Sequence, residues 1–137
     1  MNDTNMTISQ MDRRALARLL KKLSTLEIKI IKGPEAGLLM VSVTDPFDTD
    51  FHLGEALVTE AIVEYGGVSG YGMVMGDEPD RAVASAAVDA IARAAPAGMP
   101  EIDRILASER KKIEKARERE EALVESTRVR FESMVRG

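Results

Sequence analysis

The sequence predicts an α+β fold: a small antiparallel sheet with helices packed on one face, plus a long C-terminal helical arm and docking tail. Three observations predict it. Leucines at helical spacing precede segments of strand alternation. A glycine-faced strand runs directly into an alanine-rich helix. The end of the chain is a charged, helix-forming stretch too long to be the cap of a small core.

Leu16, Leu19, Leu20 and Leu23 fall at i, i+3, i+4 and i+7 and line one helical face. Ser9, with Asp12 three residues on, offers a capping-box-like start, so residues 1–8 read as a flexible N-terminus. Leu26, Ile28 and Ile30 then alternate with Glu27 and Lys29 at strand period. Residues 33–37 (GPEAG) carry turn chemistry. The run 38–43 (LLMVSV) is nearly all apolar and reads as a central strand covered on both faces. Asp45 to Asp50 form a loop, and 51–65 a further extended stretch with Leu57, Ala61, Val63 and Tyr65 on one face.

Gly66-Gly67 leads into 70–76 (GYGMVMG), giving a hairpin. In that strand Tyr71 and Met73 share one side, while Gly70 and Gly72 leave the other nearly bare. Asp77 as cap and Pro79 in the first turn open a helix rich in alanine from Ala82 to Ala90, which can approach the glycine face closely. Residues 9–95 thus form the α+β unit, 96–100 a hinge, and 101–137 the arm and tail of a single domain. In the arm, residues 109–121 contain only Ile113 and Ala116 as apolar side chains, so it projects or lies across a partner. A break near Ser126-Thr127 is equally allowed. The apolar Val129, Phe131, Met134 and Val135, with Arg136, then suggest a docking tail.

Composition narrows the chemistry. At 45% hydrophobic and 4% aromatic, the core has to be built from Ala, Val, Ile, Leu and Met. The absence of cysteine excludes disulfides, thiolate nucleophiles and iron–sulfur ligation by this chain. A single histidine, His52, excludes a histidine metal cluster. The start of the sequence has no apolar signal region, and no apolar run approaches the ~20 residues of a membrane helix. The expectation is a cytoplasmic protein without a membrane partner.

Charge is unevenly spread. Residues 1–32 carry 7 basic and 3 acidic side chains, 33–100 carry 2 and 11, and 101–137 carry 10 and 9. So acidic a middle disfavours binding of nucleic acid or free nucleotide.

Candidate sites weigh lightly. Gly70, Gly72 and Gly76 have the wrong spacing for a dinucleotide loop, and Asp77, Glu78 and Asp80 crowd the helix start where a phosphate would need positive potential. These glycines read as structural. His52 beside Asp50 and Glu55 reads as a structural or exposed residue. Met40, Met73 and Met75 read as core filling. The interleaved charges of the arm, such as Glu114 and Glu118 beside Lys111 and Lys115, read as a solvated face rather than a nucleic-acid contact. No catalytic, cofactor-binding or metal-ligating residue is assigned.

Four segments, 37–43 (GLLMVSV), 51–63 (FHLGEALVTEAIV), 70–91 (GYGMVMGDEPDRAVASAAVDAI) and 128–137 (RVRFESMVRG), resemble in order the PhnG family, the G subunit of the bacterial carbon–phosphorus lyase core complex. Arg130 and Glu132 stand where that family's tail has an acidic and an aromatic residue. The resemblance implies an accessory subunit joined to H, I and J subunits, the I subunit most directly. In that assembly the I subunit, helped by G, H and the L protein, displaces adenine from MgATP with methylphosphonate. The product is α-D-ribose 1-methylphosphonate 5-triphosphate. A later radical step on the J subunit, using S-adenosylmethionine and an iron–sulfur cluster, breaks the carbon–phosphorus bond. The resemblance carries no catalytic residue to this chain, implies no cofactor held by it alone, and leaves room for tail-mediated self-association of isolated copies. The alternative reading is a stand-alone small module for an anionic ligand or a helical partner. That reading needs converging Arg or Lys, yet 33–100 holds only Arg81 and Arg93.

Overall fold

A computed structural model of the chain describes the backbone of residues 2–136 and the side chains of 4–127. In chain order the elements are α1 (Asn2–Gln10), α2 (Arg13–Leu23), β1 (Lys29–Thr44), β2 (Asp50–Tyr65), β3 (Val68–Met75), α3 (Pro79–Ala94) and α4 (Pro100–Arg136). The strands form one antiparallel meander in the order β1-β2-β3. The fold is α+β with a long C-terminal helix, as the sequence patterning predicts.

The sequence places the first helix from Ser9 and treats 1–8 as flexible. Instead α1 spans Asn2–Gln10, and Ser9 lies inside it, donating its Oγ to the Asn5 carbonyl at 2.9 Å. Asp12 caps a second helix, accepting the Ala15 N–H at 2.8 Å. The polar sequence of α1 hides the helix, because among its described residues Ile8, with the following Met11, supplies the apolar anchors, and the other buried residue is the polar Thr7. In α2 Leu16, Leu19 and Leu23 are buried and Leu20 packs at the margin, so the leucine spacing does select the inward face.

α3 lies on the sheet face formed by Thr59, Ala61 and Val63 of β2 and Gly70, Gly72 and Val74 of β3. Its side toward the glycines is made of small residues, Ala82, Ser85, Ala86 and Ala90, and the three alanines are fully buried. Glu78, not Asp77, occupies the cap position and makes no side-chain cap bond; Pro79 starts the helix. Thr59 fastens the joint instead, donating to the Gly76 carbonyl at 2.6 Å and accepting the Glu78 N–H at 3.0 Å. α1 and α2 pack on α3, and the first turns of α4 pack on α1 and α2, with Ile102 and Leu106 joining the same core.

Two strand expectations are corrected. Residues 33–37 are not a turn: β1 runs through them with register shifts between Ile30 and Lys32 and between Lys32 and Glu35, and the Gly33–Pro34 peptide is cis. Gly33 has φ +79°, and a Cβ there would stand 2.7 Å from the Glu60 carbonyl oxygen, so this bulge needs glycine. Nor is 38–43 a central strand. β1 is an edge strand, paired with β2 alone. The face of β2 that α3 covers ends at Thr59, so the outer half of the hairpin extends beyond the helices. A continuous apolar run marks a strand without two polar-alternating faces, and it does not by itself say that both faces are covered.

α4 is one unbroken helix over the Ser126-Thr127 pair, about 55 Å long at 1.5 Å per residue. From Glu114 to Thr127 every side chain is exposed.

Candidate functional site

The hairpin of β1 and β2 carries most of the exposed large apolar side chains among the described residues. Cross-strand pairing sets its two faces. Leu38 pairs with Leu57 and Met40 with Glu55, on the face that α3 covers farther in. Leu38 is 65% exposed and Met40 66%. On the opposite face, Leu39 pairs with Ala56 and Val43 with Phe51, and all but Ala56 are exposed. The tip is an Asp45 turn: its carboxylate accepts the Phe47 and Thr49 N–H groups at 2.9 and 2.8 Å, which turns Phe47 outward to 87% exposure. Exposure of scattered apolar residues is ordinary, but a contiguous patch rimmed by charge marks an interaction surface. Here the rim is of one sign. Residues 33–80 hold 10 acidic side chains and no Lys or Arg.

The glycines singled out by sequence lie elsewhere. A Cβ on Gly70 would stand 2.5 Å from Ala90 N and collide with Ala86 O, and one on Gly72 would stand 2.5 Å from Ala82 O. Both therefore face the α3 backbone, where no ligand has room. Gly76 turns the chain at φ +85° toward α3. Among the described residues no group of three or more His, Asp and Glu is placed to hold a metal. His52 is exposed opposite Ser42, while the Asp50 carboxylate accepts the Thr44 hydroxyl at 2.6 Å and Glu55 sits across from Met40. Of the methionines read as core, Met40 and Met75 are exposed: Met40 lies beyond the part of the sheet that α3 covers, and Met75, next to the buried Val74, lies on the sheet face opposite α3.

Two concavities accompany the hairpin. A groove of about 600 Å³ runs between α1 and α4, lined by Met6, Ile113, Arg110 and Arg117 among others. A second, of about 450 Å³, lies between α1, β3 and α3, where Tyr71, Met73 and Val88 meet Asn5, Asp89 and Arg93. The Tyr71 hydroxyl donates to Glu60 at 2.7 Å, which together with partial burial raises its pKa above the ordinary tyrosine value.

Arg81, one of the two basic residues of the middle segment, has a structural task. It is nearly buried and donates to the carbonyls of Ile8 and Met11 at 2.8 and 2.6 Å, closing the C-terminal end of α1. Arg93 pairs with Asp89 at 2.9 Å, so the two cations do not converge on one pocket.

A family model described as phosphonate metabolism protein PhnG matches residues 3–137. The chain belongs to the PhnG family. Membership gives it a role in phosphonate metabolism. No curated protein matches the chain. Among the described residues no helix is long and apolar enough to cross a membrane.

For this PhnG-family chain, the interface expected at Val129, Phe131, Met134, Val135 and Arg136 lies outside the described side chains. The hairpin residues Leu38, Met40, Phe47, Phe51, Leu53 and Leu57 carry the uncovered surface, and sequence patterning missed them as a surface. A signal for them existed: a phenylalanine inside an Asp-rich turn, flanked by apolar runs with no Lys or Arg from residue 33 to residue 80.

Proposed function

We propose that the chain is the accessory G subunit of a carbon–phosphorus lyase core complex, supporting the I subunit by contact rather than by chemistry of its own. In this reading MgATP and methylphosphonate are substrates of the assembled complex. The chain would stabilise or shape the site in which adenine is displaced to give α-D-ribose 1-methylphosphonate 5-triphosphate. The H, I and J subunits are its partners.

One observation carries the reading: the chain's most apolar run is exposed on a hairpin rather than spent on its own core. A surface of that kind asks for a protein partner. Family membership supplies the metabolic context. The stand-alone reading for an anionic ligand is disfavoured, because the acidic hairpin repels such a ligand and Arg81 is already engaged with α1.

The test is co-expression with H, I and J subunits, pull-down, and an assay of adenine release from MgATP and methylphosphonate. The isolated chain is expected to release no adenine, and the full chain to be retained by the I subunit. Failure of the full chain to bind any of the three overturns the reading. A truncation lacking 126–137 that binds as well as the intact chain removes the tail from the interface and leaves the hairpin.

A further inference from the structure

The sheet has two outer edges, and they are treated differently. On β3 three alternate positions are closed by side chains. The Ser69 carbonyl accepts from Arg93, the Tyr71 N–H donates to Asp89 at 3.0 Å, and the Met73 carbonyl accepts from Asn5 at 3.4 Å. Asn5 is itself held by the Ser85 hydroxyl. Blocking a strand's free hydrogen-bonding groups is how a sheet edge is kept from pairing.

β1 has no such cover. The Gly76 N–H donates to the Leu57 carbonyl, so odd-numbered residues of β2 direct their backbone groups to β3 and even-numbered ones to β1. Opposite Val58, Ala56 and Gly54 stand Gly37, Leu39 and Val41, whose backbone groups are therefore used in the ladder. Ala36, Leu38 and Met40 direct theirs outward. Among the described residues, no side chain or loop backbone bonds to the outer edge of 36–43. Of the devices that usually blunt an edge, one register shift lies between Val41 and Ser42, past the free groups of Ala36, Leu38 and Met40, and charge and proline are missing. Nine residues from Ala36 to Thr44 contain no charge and no proline.

We infer that the outer edge of β1 at residues 36–44 is a strand-addition site, taking an extended segment of a different protein chain that is apolar at alternate positions and basic at its ends. Backbone hydrogen bonds to Ala36, Leu38 and Met40 fix the segment, and the exposed Leu38 and Met40 side chains select apolar neighbours. Charge decides the class of occupant. Glu35 stands at one end of the free edge and Asp45, Asp48 and Asp50 at the other, with no cation between Lys32 and Arg81. A second copy laid antiparallel on the same edge brings Glu35 of each chain toward the acidic tip of the other. A segment flanked by Lys or Arg meets opposite charge at both ends.

The inference rests on the partner reading given above, and the experiment separates the two. Residue-resolved amide exchange is measured on the isolated chain and on the chain in complex with co-expressed H, I and J subunits. The Leu38 and Met40 amides are expected to slow at least about tenfold in the complex, because strand addition bonds them directly. Leu39, already in the ladder, serves as the internal reference. A complex that forms with Leu38 and Met40 exchanging as before overturns the edge site and leaves the partner reading intact. A chain that binds none of the three subunits overturns both. Slow exchange in an isolated chain that runs as a dimer assigns the edge to a second copy and overturns the choice of occupant. A paired variant reads the charge: Leu38→Lys with Met40→Lys is expected to weaken capture at least about tenfold more than Leu38→Glu with Met40→Glu, both at exposed positions. Equal loss in the two variants overturns the basic character of the segment.

Discussion

Arg81 is a cation placed where a helix end leaves carbonyls without partners. Its two bonds to Ile8 and Met11 are nearly buried, so water cannot replace them when the side chain is shortened. Arg81→Met is expected to cost about 3 kcal/mol and to release α1, read as a lower melting temperature and faster amide exchange in residues 2–11. Asp12 works at the other side of the same junction in a solvated setting. The Ala15 N–H holds its carboxyl below its ordinary value. A carboxyl lowered on folding stabilises the fold above its unfolded pKa of about 3.9, and that contribution disappears as pH falls through the folded value. Thermal stability is therefore expected to drop on acidification below about pH 4, and Asp12→Asn to flatten that part of the profile.

At the scale of elements, the contact of α3 with β3 is set by what is missing from the strand. Gly72→Ala would drive a Cβ against the Ala86 and Ala82 backbone, and neither can rotate away. The expected loss is ~3 kcal/mol in denaturant unfolding. Gly37→Ala, whose Cβ meets nothing within 4 Å, is the matched control and should stay within about 0.5 kcal/mol. This pairing of glycine strand with alanine helix was legible in sequence, because small residues on both sides report distance as well as burial. So were the leucine face of α2 and a long helical arm at the end of the chain, whose continuity over Ser126-Thr127 the sequence left open. The helix α1 was not, since its sequence has no apolar period and its place is decided by Arg81, 70 and more residues away. The exposed hairpin was not legible either. LLMVSV has the same letters whether a helix covers it or not, and only the end of α3 decides which residues it reaches.

For the whole molecule, the buried core and the uncovered apolar surface reside in separate halves. The helices and the inner sheet contain the core, whereas the outer hairpin contributes little to it. Phe47→Asp and Leu53→Asp are thus expected to shift unfolding free energy by no more than about 0.5 kcal/mol while reducing capture of partner subunits, read by melting curves and pull-down on the same preparations. A loss of stability equal to the loss of binding would place the hairpin in the folding core instead. Family membership was also readable, from four collinear segments that no periodicity explains.

The bare hairpin has a consequence for the life of the chain before assembly. Met40, Phe47 and Leu53 stay in water for as long as no partner has arrived. Chaperones and proteases act on such surfaces, so under the proposed assembly an orphan copy is expected to be short-lived even when its core is sound. Under the proposed assembly, abundance of the chain is expected to follow the supply of its partner rather than its own rate of synthesis, read as the level of the chain with and without co-expressed H, I and J subunits.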